Sequence, residues 1–191
     1  MHPDGPLAGA VFFSAAPHDD ATPSEAPVVA FAHAAHDISR MYSLVRRFLK
    51  TGIAFLGVGL AIGVWMMAER DLLGRFPSRY EQSAHTHAIL VGFVMMMILG
   101  VALWLFPRPA KDDERYAPKL AETAYWLVTI GTATRIAGEL AQPFSGALAL
   151  RAATFAAGLL QVAGLALFFY TMWSRIRPVG SQAREAKGEK F

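Results

Sequence analysis

The sequence predicts an all-α fold: a polytopic membrane four-helix bundle with both termini on the cytoplasmic side. Three observations predict it. Four segments are mostly apolar over about 20 residues, the length a helix needs to cross hydrocarbon. The chain is 54% hydrophobic with a mean hydropathy of +0.33, too apolar for an ordinary soluble domain. Arginine and lysine gather on alternate connections, as the positive-inside rule requires.

Residues 1–40 stand apart. They are rich in Ala, Pro, His and Asp and carry no basic residue before Arg40. They lack the positive start and continuous apolar core of a signal peptide. Met41 opens MYSLVRRFLKTG, which reads like a natural start, so 1–40 is expected to be a disordered arm or an over-extended start. His33 and His36 form an HxxH whose only nearby carboxylate is Asp37, and surface histidines are the expectation there.

The transmembrane domain is expected over 41–177. The first span, 51–68, ends in Trp65-Met66-Met67, and the second, 88–106, is stopped by Pro107 and Pro109. The third, 121–140, is interrupted by Arg135 and Glu139 and closed by Pro143, and it is the least apolar. The fourth, 152–173, runs into a basic cluster, and 178–191 is a polar, charged tail expected to be mobile. Paired glycines recur in every span: Gly59 and Gly63 (a GxxxG), Gly92 and Gly100, Gly131 and Gly138, Gly158 and Gly164. Small residues let membrane helices approach closely, or let a flat macrocycle lie against a helix. Met66, Met67 and Met95–Met97 are expected as soft fillers of apolar gaps.

With these spans, 13 Arg and Lys residues fall on the side of both termini and four on the other, with Arg135 inside the membrane. The basic tail is a topology and anionic-lipid signal rather than a nucleic-acid site. The chain has no cysteine, which excludes disulfides, thiolate metal sites, iron–sulfur clusters and thioether-linked haem. No phosphate loop, no nucleophile paired with a base and no facing carboxylates are found, so a complete enzyme is not expected from this chain alone.

The informative stretch is 80–107, YEQSAHTHAILVGFVMMMILGVALWLFP. His85 and His87 stand where a spanning helix begins, and histidine there is a site hypothesis by default. In the predicted topology, Arg135 and Glu139 fall in the outer third of the third span, four apart on one face. Arg151 enters the fourth span, and Glu69, Arg70 and Asp71 leave the first, at the same level. Arg135–Glu139 as a self-satisfied pair is one reading of this layer. The other is a cofactor site in which His87 or His85 holds haem iron and Arg135 or Arg151 holds the propionates.

The run Tyr80-Glu81-Gln82-Ser83-Ala84-His85-Thr86-His87-Ala88-Ile89 resembles the start of the second helix of subunit I in haem–copper oxidases and nitric oxide reductases. The resemblance covers roughly 41–110 and implies a histidine ligand to low-spin haem b near the outer surface. The Tyr-acidic-Gln register of quinol oxidases puts His87 there. The His-Thr-x-Ala register of cbb3-type enzymes puts His85 there. His87 is preferred as the deeper of the two. No histidine follows His87, so the other haem ligands and the copper histidines of the full subunit are missing. The expectation is a b-type haem protein of the bacterial inner membrane, transferring electrons or sensing a diatomic gas. Its partners are the lipid bilayer and either further copies of itself or a respiratory-type complex, which would complete ligation. Two alternatives stand beside it. One is a copper-handling protein using His85 and His87 with Met66 or Met95 and Glu139. The other is a cofactor-free accessory subunit.

Overall fold

The computed structural model describes residues 26–106 and 118–176, with 184, 187 and 188, and side chains only from 42 onward within the first helix. Among the described residues the chain is helical and contains no strand. Helix α1 spans Ala26–Asp71. Then α2 (Arg79–Thr86), a π-helical segment (His87–Met95) and α3 (Met96–Leu105) follow one another without a break. Helix α4 covers Pro118–Ala141 and α5 covers Leu148–Met172, prolonged by one 3₁₀ turn at Trp173–Arg175.

Three of these rods are long and apolar enough to cross a membrane: Tyr42–Asp71, Arg79–Leu105 and Leu148–Arg175. The third expected span, α4, is not among them. Its length is about 36 Å at 1.5 Å per residue, enough to cross, but it carries Lys119, Glu122, Arg135 and Glu139. The first helix also begins earlier than expected. It reaches back to Ala26, into the segment read as an arm, because that stretch is alanine-rich and its one proline, Pro27, sits in the first turn where no N–H is missed. Residues 1–25 and most of the tail lie outside the described residues.

The core has two storeys. Phe48, Met96, Leu99, Leu103, Val128 and Phe168 join all four rods at one end. Phe55, Ile62, Ala84, Ala88 and Ile136 join α1, the second rod and α4 at the other. Glycine sets the distances. A Cβ on Gly131 would lie 2.8 Å from the Ala157 carbonyl oxygen and 2.9 Å from the Gln161 nitrogen, so α4 and α5 touch backbone to backbone. Beside that contact, Gln161 Nε2 donates to Thr132 Oγ1 (3.0 Å), both side chains being buried. The GxxxG face of α1 is used inside the chain: Gly59 faces Ile89 and Gly63 faces His85.

One charge of the tail's basic cluster is structural. Arg175 is 1% exposed and donates from Nη2 to the carbonyls of Leu103 (3.1 Å) and Phe106 (2.9 Å). It satisfies the acceptors left over where the second rod ends.

Candidate functional site

The site is assembled where α1 ends and α2 begins. Ser78 caps α2 reciprocally: its Oγ accepts from the Glu81 N–H (3.2 Å), and Glu81 Oε2 accepts from the Ser78 N–H (2.7 Å). This fixes the start of the rod, and with it the directions in which His85 and His87 point. Residues two apart on a helix diverge by about 200°, and here they do. His85 turns to α1 and His87 to α4.

His87 opens the π segment and joins a polar cluster. Its Nδ1 lies 2.8 Å from the Ser83 carbonyl oxygen, 3.1 Å from Glu139 Oε2 and 3.3 Å from Ser83 Oγ. Glu139, 5% exposed, also accepts from Ser83 Oγ (2.8 Å) and from Arg135 Nε (3.1 Å) through Oε1. The expected Arg135–Glu139 pair therefore exists, but it is not closed on itself, since the carboxylate also holds His87 and Ser83. Gly158 of α5 makes room for Arg135, because a Cβ there would collide with Nη1.

His85 has different surroundings. Its Nδ1 donates to the Gly59 carbonyl oxygen (2.9 Å), and its ring lies over Gly63, where a Cβ would approach Cε1 to 3.0 Å. It lines a groove of about 610 Å³ together with Leu60, Val64, Met67 and Arg70. Among the described residues both Nδ1 atoms face acceptors or the Ser83 hydroxyl, so Nδ1 is the donor in each set of contacts and Nε2 is the nitrogen left for a ligand. A histidine held this way is set up to ligate through Nε2.

The structure separates the donors of the copper reading. His85 shares its groove with Met66 and Met67, while His87 shares its cluster with Glu139. Among the described residues no group of three or more His, Asp or Glu side chains is placed to hold a metal ion. Arg151 is exposed on the first turn of α5 and, among the described residues, makes no side-chain hydrogen bond or ion pair. The guanidinium in the His85 groove is Arg70 instead, bonded to Asp71 at 2.7 and 3.3 Å. Arg70 is legible as part of the charged layer, but its place in the groove of His85 depends on how α1 and α2 meet. The donor set of the groove fits a haem: one tethered imidazole, apolar walls, a glycine beneath the ring and one arginine.

The family model for Cytochrome C and Quinol oxidase polypeptide I matches residues 43–187. This chain belongs to that family. Among its relatives is the Cbb3-type cytochrome c oxidase subunit CcoN1 of Stutzerimonas stutzeri, 31% identical over 93 residues. The match covers 49% of this chain and 19% of that subunit, so the chain spans about a fifth of the relative's length. No solved structure matches it. The chain is thus a membrane protein related to oxidase subunit I, helical throughout its described spans.

Proposed function

We propose that this oxidase polypeptide I relative is a b-type haem protein of the bacterial inner membrane, with both termini cytoplasmic, and that His85 supplies an axial ligand. The observation that carries this is the His85 groove, where Nδ1 is spent on the Gly59 carbonyl, Nε2 remains available, and Arg70 stands near enough along the wall to take a propionate. The curated relative is of the cbb3 type, the register in which His85 rather than His87 takes the ligand's place. When bound, the haem supplies one-electron redox chemistry or a site for a diatomic gas.

The chain's own residues do the rest. Gly59 fixes the tautomer and plane of His85. Gly63 lets the ring lie close to α1. Leu60, Val64 and Met67 give the groove apolar walls that would shield a bound haem from water. The groove offers one imidazole, so in an electron carrier a second ligand would come from another copy of the chain or from a larger membrane complex, and in a gas sensor that position would stay open. His87 with Glu139, Ser83 and Arg135 holds the second rod against α4. The family supports the haem-oxidase relationship, and the one-sided groove favours an electron-carrying or gas-sensing part over an oxygen-reducing centre.

Haem content of purified variants tests the assignment. His85→Ala is expected to lose haem, and His87→Ala to keep it at reduced stability. Haem retained by His85→Ala and lost from His87→Ala would transfer the role to His87. Carbon monoxide binding to the reduced protein separates the two roles, since a fully ligated electron carrier has no open position for the gas.

A further inference from the structure

A second groove, on the other side of α1, has no part in holding haem. It encloses about 730 Å³ and is walled by Ile62 and Trp65 of α1, by Leu140 at the end of α4 and by Phe144 beyond it. Its polar end carries Glu69, Arg75 and Glu81. We propose that this groove binds a zwitterionic phospholipid with a primary-amine headgroup, its ammonium between Glu69 and Glu81 and its phosphate toward Arg75.

The polarity of the groove calls for an amphiphile. From Ala61, at its apolar end, to Glu69 is about 12 Å along the helix axis. The groove therefore runs from hydrocarbon depth to the surface, in a rod apolar enough to cross the membrane. A tail lies along Ile62 and Trp65, and a head reaches the end of the helix.

The charged end calls for a cation with several N–H donors. Glu69 is 8% exposed, and Arg75 Nη2 donates to its Oε1 at 3.2 Å. Its Oε2 is buried and receives no hydrogen bond from an N–H or a hydroxyl. A buried acceptor left unpaired is costly, and the broad terminal torsion of a glutamate lets its carboxylate turn toward a donor. Its neighbour is Glu81, close enough for contact between the two carboxyl groups, and two ionised carboxylates need a proton or a cation between them. Glu81 accepts from Trp65 Nε1 (3.1 Å) and from the Ser78 N–H (2.7 Å), which leaves further lone pairs on its oxygens. An ammonium carries three donors and meets both groups at once. Arg75, 62% exposed at the side chain, stands at the rim where a phosphate would lie. The choline headgroup has the same net charge but no N–H, and a glycerol headgroup has no cation, so the site separates the three by chemistry.

The test uses Trp65, whose indole is bonded to Glu81 within the groove. The full chain is reconstituted in vesicles containing equal mole fractions of brominated phosphatidylethanolamine, phosphatidylcholine or phosphatidylglycerol. The quenching of Trp65 is taken as the difference between wild type and Trp65→Phe. Brominated phosphatidylethanolamine is expected to quench Trp65 most strongly, with the preference lost in Glu69→Gln and in Glu81→Gln at unchanged helical circular dichroism. Equal quenching by all three lipids overturns the proposal, as does a preference for phosphatidylglycerol or one that survives both substitutions. Binding of soluble phosphoethanolamine with no quenching by any brominated lipid shows that a free ammonium, not a lipid, is the ligand, and also overturns it. The outcome is independent of haem content.

Discussion

His85 and His87 are separated by one residue and by almost everything their rings touch. The Gly59 carbonyl and an open groove surround the first, while a carboxylate, a serine and a guanidinium surround the second. Glu139 is the centre of the second set. Replacing it with alanine leaves Arg135 and His87 without their shared acceptor in a closed part of the bundle. A loss of about 1–3 kcal/mol is expected, read as a lower melting temperature in detergent. Glu139→Gln keeps an acceptor for Arg135 and is expected to lose less. Arg175 makes a parallel case at the far end. Arg175→Met keeps the apolar stem but abandons the Leu103 and Phe106 carbonyls, and a loss of about 1–3 kcal/mol is expected in the same assay. The Arg135–Glu139 pair was legible in the sequence because four residues is a contact distance within one helix. Ser83, Gly59 and the burial of Arg175 were not, because each is fixed by a neighbouring rod. Arg151 shows the converse. It was placed at the right end of the bundle, and its exposure on α5 could not be read from spacing alone.

The rods pack at distances set by glycine, and single substitutions can test this element by element. Gly131→Leu drives a side chain into the backbone of α5 at Ala157 and Gln161, which cannot rotate aside. It is expected to cost about 1–3 kcal/mol or to part α4 from α5, seen as a lower melting temperature. Gly57→Leu is the control: a Cβ there meets nothing within 4 Å, and little change in the melting temperature of the single chain is expected. Equal effects of the two would contradict the packing described. The apolar runs of α1, the second rod and α5 were plain in the sequence because hydropathy reports them directly. The π segment was not, since its nine residues from His87 to Met95 are as apolar as any ordinary helix. Such segments concentrate at functional sites, and this one begins at a candidate ligand. Helix α4 was predicted as a span with two charges inside it. The structure gives those charges partners in the second rod and room beside Gly158 of α5, which is how a charged helix is accommodated among apolar ones.

For the whole molecule, the proposed orientation rests on the asymmetry of basic residues. With four spans, thirteen Arg and Lys would lie on the side of the termini and four on the other. Because the chain has no cysteine, a single introduced one reports its own side. Cysteine at Lys187 is expected to react with an impermeant maleimide only in inverted vesicles, and cysteine at Ser145 only in intact cells. The reverse pattern would turn the bundle over and put His85 at the cytoplasmic surface. The groove at His85 holds one imidazole, so the molecule as a haem protein is half of a ligand set, and its expected stoichiometry is below one haem per chain when two copies share the iron.

The central claim, that a tethered imidazole at the end of α1 and α2 holds haem iron, is tested most directly by the optical spectrum of the purified protein. Wild type is expected to show a Soret band and reduced α and β bands of b type, with His85→Ala losing them while its helical circular dichroism is kept. A wild-type protein that is colourless after expression with haem supplied, and takes none up when titrated with it, would contradict the claim.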